Sequence, residues 1–173
     1  RENQIAYAEP SFFRLFDFEL LKGDKKTCLS MPGQVVITER IASKYFKDED
    51  PIGKIFIFTG AYDKISCEVT GVMKEMPSNS HIHYSFLISY KSLPKYMQEY
   101  WYKHEAYTYV LLDSPERKAE IEREFPVMAE KYKTDEALKN KTWGVSLIPL
   151  ADIHLTPQVG YEAETKGNRS SMI

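Results

Sequence analysis

Gln34–Phe46, QVVITERIASKYF, is the stretch that decides how this chain folds. Val35, Val36 and Ile37 follow the turn residues Pro32 and Gly33 as an unbroken aliphatic run, the pattern of a buried strand. Thr38 stands where the chain must change from strand to helix, and its hydroxyl suits a helix cap. Ile41, Ala42, Tyr45 and Phe46 then recur at helical spacing and form one apolar stripe.

Downstream, Lys47 to Asp50 reads as a charged loop. Pro51, Ile52, Gly53 and Lys54 turn the chain into an aliphatic-aromatic strand, Ile55 to Phe58. Gly60, Ala61 and Tyr62 suit a hairpin connection, and the return strand runs through Ile65, Cys67, Val69, Gly71 and Val72. Gly71 inside that strand marks a bulge or a close approach of two backbones. The block from about Gln34 to Glu75 is therefore expected to have the order βαββ.

Before this block, Ile5 to Ala8 reads as a short strand. Pro10 opens a short aromatic helix with Phe12, Phe13, Leu15 and Phe16, and Phe18, Leu20 and Leu21 lead into a turn at Lys22, Gly23 and Asp24. After it, Pro77 to Ser80 reads as a loop, His81 to Tyr90 as a strand, and Leu93, Tyr96, Met97 and Tyr100 as a short helix or turn. Ala106 to Leu112 is rich in β-branched and aromatic residues and predicts another strand. Ser114, Pro115 and Glu116 form a helix start, with Ser114 as cap and Pro115 in the first turn. Ile121, Phe125, Met128 and Tyr132 continue that helix, with a kink or break expected at Pro126. A last strand is predicted from Trp143 to Ile148, continuing through Pro149 to Leu155, and from Thr156 onward the chain turns polar. Helices alternate with strands, so the fold class is α+β.

The 173 residues are 43% hydrophobic and 28% charged, as expected of a folded chain. A net charge of -2 without a long basic run argues against a nucleic-acid partner. No stretch reaches the roughly 18–20 apolar residues of a membrane span. The chain opens at Arg1 without a methionine or a secretory signal, which leads us to expect a fragment of a longer protein.

The residues that could carry chemistry do not form a recognisable set. Gly23 to Thr27 superficially suits a phosphate loop, but the preceding glycine is missing, so its backbone donors cannot converge on phosphate. His81 and His83 would share a face on a strand, yet two ligands are too few for a metal, and His104 and His154 are remote in sequence. Cys28 and Cys67 lie outside any CxxC pair and could be free or joined. Asp48 with Asp50, and Glu162 with Glu164, sit in charged, loop-like surroundings where ordinary acidity is expected. Asn140 and Asn168 each open an Asn-x-Ser/Thr triplet, a signal too common to count. No catalytic, cofactor-binding or metal-ligating residue is expected, no cofactor is implied, and the chain is not expected to be an enzyme.

In their order and spacing, several motifs resemble the extracytoplasmic domain of MacB/FtsX-like ABC transporter permeases, in the version found in Bacteroidetes. They are Glu9-Pro10-Ser11-Phe12-Phe13 with Leu21-Lys22-Gly23-Asp24, Val36-Ile37-Thr38-Glu39 leading to Lys44-Tyr45-Phe46, and Asp50-Pro51-Ile52-Gly53-Lys54. Further on come Val69-Thr70-Gly71-Val72, Pro77-Ser78-Asn79-Ser80-His81, Tyr107-Thr108-Tyr109-Val110 and Pro149-Leu150-Ala151-Asp152-Ile153-His154-Leu155. His83-Tyr84-Ser85-Phe86 departs from the Phe-Asp-Phe pattern usual in such relatives.

The resemblance implies a MacB-like periplasmic core domain over residues 1–173 with two lobes. Residues 1–32 and 78–156 would form a discontinuous porter-like βα lobe, residues 33–77 an inserted βαββ, sabre-like lobe, and residues 157–173 a tail toward the next transmembrane helix. It implies a periplasmic domain of an inner-membrane permease that relays ATP-driven helix motion outward to export or extract a substrate. The implied partners are a cytoplasmic ABC ATPase acting through the transmembrane part, a second permease in a homodimer or pseudo-dimer, and a periplasmic partner protein. A periplasmic module that binds or senses a peptide or lipid is the alternative, suggested by the tyrosine-rich stretch Tyr96 to Tyr109.

Overall fold

The computed structural model describes residues 2, 4–59, 64–99, 106–133 and 139–155. Its contacts divide the chain into a unit of residues 1–98 and a unit of residues 99–173.

The first unit is built on one six-stranded mixed sheet. Its strands are β1 (Ile5–Ala8), β2 (Leu20–Lys22), β3 (Gln34–Thr38), β4 (Ile55–Thr59), β5 (Lys64–Met73) and β6 (Phe86–Ser89). The order is β1-β6-β3-β5-β2, with β4 joined to β5. β1 runs parallel to β6 and β3 parallel to β5, whereas the β3·β6, β2·β5 and β4·β5 pairs are antiparallel. Helix α1 (Phe12–Leu15) separates β1 from β2, α2 (Glu39–Phe46) follows β3, and α3 (Lys95–Gln98) closes the unit.

β3 lies at the centre because its residues need cover on both faces. Val35, Val36, Ile37 and Thr38 are all fully buried, and both edges of the strand are paired. Thr38 caps α2 as its position predicts: its backbone is extended and its side chain accepts a hydrogen bond from the Ile41 amide. One turn on, Ile41 is buried in the same cluster as Ile37, Val69 and Phe86, with Ala42 and Phe46 packed against it. α2 is also tied to the first residues of the chain, since Lys44 and Tyr45 both donate to the Glu2 carboxylate.

Helix α2 ends on a strained residue. Lys47 has φ 54° and ψ -114°, a conformation that only glycine adopts without cost, while its amide still donates to the Ser43 carbonyl. Lys47→Gly is therefore expected to stabilise the domain by about 1 kcal/mol, with relief of strain exceeding the extra chain entropy. A urea midpoint that rises at constant slope checks it, and a lower midpoint would refute it.

β5 is irregular where Gly71 predicts. Val35 pairs with Val69 but Val36 pairs with Gly71, so Thr70 is an extra residue bulged out of the ladder. The Thr70 hydroxyl donates to the Cys28 carbonyl at 2.6 Å and lies 3.3 Å from that of Val35. A side chain on Gly71 would begin 3.1 Å from Val36 Cγ2 and 3.2 Å from the Lys22 carbonyl, so the close approach is real as well.

Residues 34–73 have the βαββ order, and their strands continue into one sheet with β1 and β6. β1 and β6, assigned from sequence to the flanking lobe, are hydrogen-bonded into the same sheet as β3 and β5, and the division between units falls after Gln98 rather than at 32/33 and 77/78. The reason lies in β3, which β5 can cover on one edge only. β6 supplies the other through Val35↔Ile88, Val36↔Leu87 and Ile37↔Phe86.

The strand expected from His81 to Tyr90 is shortened to Phe86–Ser89. Upstream, other bonds replace the regular ladder: the Ile82 amide donates to Ser80 Oγ, the Tyr84 amide to Met76 Sδ and the Ser85 amide to the Gln4 carbonyl just before β1. Leu20–Lys22, read from sequence as the approach to a turn, pairs with the end of β5. The expected hairpin connection at Gly60 to Tyr62 lies outside the described residues.

In the second unit, α4 (Arg117–Glu130) is the main element. It begins later than expected. Ser114 and Pro115 form a turn whose carbonyls accept the Arg117 and Lys118 amides, and the Ser114 side chain instead bonds Glu116, holding that carboxyl below its usual range. The expected break at Pro126 is absent, for α4 runs through it. Proline costs the helix one donor, and α4 has anchors to either side: Ala129 is buried and Glu122 accepts the Leu147 amide at 2.7 Å.

The strands predicted at Ala106 to Leu112 and Trp143 to Ile148 are not formed, and Leu150–Leu155 is a 3₁₀ helix instead of a strand. β-prone composition becomes a strand only where an edge is available to pair with it.

Candidate interaction surface

Each residue singled out for chemistry can now be placed. The Gly23 to Thr27 loop folds around Asp24, whose carboxylate accepts the Lys26 amide at 2.7 Å and whose carbonyl accepts the amides of Thr27 and Cys28. Donors that a phosphate would need are spent inside the loop. Cys28 and Cys67 are free thiols, both buried, and burial pushes each up to about 11. Such thiols are held in the protonated, unreactive form near neutral pH.

His81 and His83 do not lie on a strand. The His81 ring packs 5.8 Å from that of Phe16, and His83 Nε2 is 3.0 Å from the Pro77 carbonyl oxygen. Among the described residues, no group of three or more His, Cys, Asp or Glu side chains is placed to hold a metal. His154 falls in the Leu150–Leu155 helix, while His104, Glu162, Glu164 and Asn168 lie outside the described residues. Asp50 bonds Lys22 Nζ at 3.0 Å and the Ile52 amide at 3.2 Å, and these bonds hold its carboxyl below the usual range. Asp48 and Asn140 each sit in an exposed turn.

The surface has two apolar features that the chemistry-directed reading of the sequence missed. Around α1, the rings of Phe12, Phe16 and Phe18 form a half-buried cluster, with Phe12 and Phe18 stacked at 5.6 Å. On β4, alternate residues divide between two environments. Phe56 and Phe58 face inward, where each meets the Phe86 ring edge-on at 5.4 and 5.3 Å, whereas Ile55 and Ile57 face solvent at 56% and 69% exposure. The sequence signal was available in Ile55–Thr59, IFIFT, a strand apolar on both faces. In the tyrosine-rich stretch, Tyr96 and Tyr107 are exposed, and Tyr100 and Tyr102 lie outside the described residues.

A mixed sheet with short helices defines an α+β domain, with apolar side chains exposed on β4 and half-buried rings around α1. The chain belongs to the MacB-like periplasmic core domain family, whose sequence model matches residues 1–126, the whole of the six-stranded sheet included. It is similar in fold to the crystal structure of a domain assigned to a permease protein from Porphyromonas gingivalis, with a TM-score of 0.60 at 20% identity. That similarity covers 81% of this chain and 63% of the other. No curated protein matches the chain. The α+β class and the family expected from the motifs thus stand. No helix among the described residues is long and apolar enough to cross a membrane.

Proposed function

We propose that this chain is the periplasmic part of an inner-membrane ABC transporter permease, and that it relays ATP-driven movement of the transmembrane helices outward to export or extract a substrate. The observation that carries this reading is the family match over residues 1–126. In this reading the domain makes and breaks no bonds itself. It works with a cytoplasmic ATPase, a second permease subunit and a periplasmic partner protein.

The sheet offers a physical basis for such a relay. β1 is held in parallel register to β6 by four consecutive residue pairs, Ile5↔Phe86 through Ala8↔Ser89, and β6 is held in turn by β3. A displacement entering along β1 loads these bonds together, so it moves the sheet as a body before it peels a strand away.

The test is reconstitution of the intact permease with its ATPase in vesicles, with and without residues 1–173 replaced by a flexible linker. Loss of substrate movement with ATP hydrolysis retained is the expected result. Undiminished substrate movement without the domain overturns the proposal. Saturable binding of a peptide or lipid by the domain, with transport unaffected by its removal, would favour the binding-module alternative.

A further inference from the structure

The two ends of α2 are held in different ways. In the first turn Thr38 caps the helix, Ile41 is fully buried, and Arg40 donates to Ser85 Oγ at 2.7 Å and pairs with Glu75 at 3.5 Å. In the last turn Lys44 and Tyr45 are exposed, and the helix ends on the strained Lys47.

Side chains from two distant segments meet at that last turn. On one side the Glu2 carboxylate accepts from Lys44 Nζ and, at 3.1 Å, from the Tyr45 hydroxyl. On the other, the Tyr45 ring meets the Phe56 ring of β4 edge-on at 5.3 Å, and Phe46 meets the same ring at 5.5 Å. The Lys44 ammonium also lies 5.3 Å from the centre of the Tyr45 ring, so the cation that bonds Glu2 rests on that ring as well. Tyr45 thus holds Glu2 with its hydroxyl and β4 with its ring, and a planar phenol cannot move one without the other.

The sheet gives no comparable path. Through the ladders, β1 reaches β4 only by way of β6, β3 and β5. A second route, with Ile5 beside Phe86 and the Phe86 ring against Phe56, runs through the buried core, which is close-packed and moves as a body.

We propose that α2 is a lever pivoting on its anchored first turn, with Tyr45 as its coupling residue: release of Glu2 frees the last turn, and the Tyr45 ring carries that change to Phe56 and β4. The two states are Glu2 bonded, as in this structure, and Glu2 released. The use of the lever rests on the transporter reading, in which it makes β4 respond to displacement of the residues ahead of β1. The coupling itself is a property of the 173-residue chain.

Amide hydrogen exchange of that chain, read residue by residue by NMR, tests the coupling. Glu2→Ala removes the acceptor shared by Lys44 and Tyr45, and exchange at Phe56 and Phe58 is expected to rise at least about threefold, the scale of a part-exposed ion pair and its hydrogen bond. Val36 and Ile37, at the centre of β3, respond by a smaller factor. Tyr45→Phe keeps the ring and removes the hydroxyl, and in that background Glu2→Ala has less than half its effect on β4. An equal response of β4 with and without the hydroxyl overturns the proposal. So does no change at β4, or a rise spread evenly over the sheet, which would mark Glu2 as a source of overall stability alone. Transport that survives loss of the domain would sink the transporter reading and leave these exchange results standing, and the converse holds as well.

Discussion

Gly23→Ala lowers the stability of the domain by about 3–5 kcal/mol, among the largest effects a single methyl group can have. Gly23 has φ +97°, and a Cβ there would stand 2.4 Å from the Thr70 carbonyl oxygen and 3.0 Å from the Gly71 Cα. Both obstacles are backbone, and neither can yield cheaply. Thr70 is the bulged residue of β5, pinned by its hydroxyl to the Cys28 carbonyl, and Gly71 is in register with Val36. Gly53 is the control: its φ is +80°, but a Cβ there meets nothing within 4 Å. Gly53→Ala should cost only backbone strain, about 1–2 kcal/mol. Urea unfolding of the two variants decides the matter, and equal losses would show that strain alone, without the clash, governs both sites.

Phe86→Ala is expected to cost about 3–5 kcal/mol, the range for deleting a large buried side chain that its neighbours cannot replace. Phe86 is 1% exposed and belongs to three layers of contact at once. Its backbone is in register with Ile5 of β1 and Ile37 of β3, and its ring receives those of Phe56 and Phe58 from β4. Removing it leaves a cavity where the rings of Phe56 and Phe58 meet β6. Phe86→Leu refills much of that space and should cost no more than about 1.5 kcal/mol. A Phe86→Ala loss below that of Phe86→Leu would mean that the ring is not the packing centre described.

These two sites differ in how visible they are in the sequence. Gly23 reads as a turn residue, and the turn is there, but its severity comes from Thr70, 47 positions away, which no local pattern connects to it. Phe86 reads as one apolar residue among several between His81 and Tyr90. Its rank follows from β6 closing the second edge of β3 while its ring meets Phe56 and Phe58. The exposed face of β4 was equally hidden: IFIFT announces a strand with two apolar faces, but not that one face would be left in solvent.

The sequence by itself determined the local elements whose causes are local. Val35 to Ile37 make a strand, Thr38 caps the helix that Ile41 and Phe46 anchor, Gly71 interrupts β5, and the order of these motifs identifies the family. Tertiary structure alone decided which strands pair, where the chain divides, and that Ala106 to Leu112 and Trp143 to Ile148 form no strand. Helix caps and turns are completed within a few residues, whereas a strand's hydrogen bonds belong half to a partner that sequence spacing does not name.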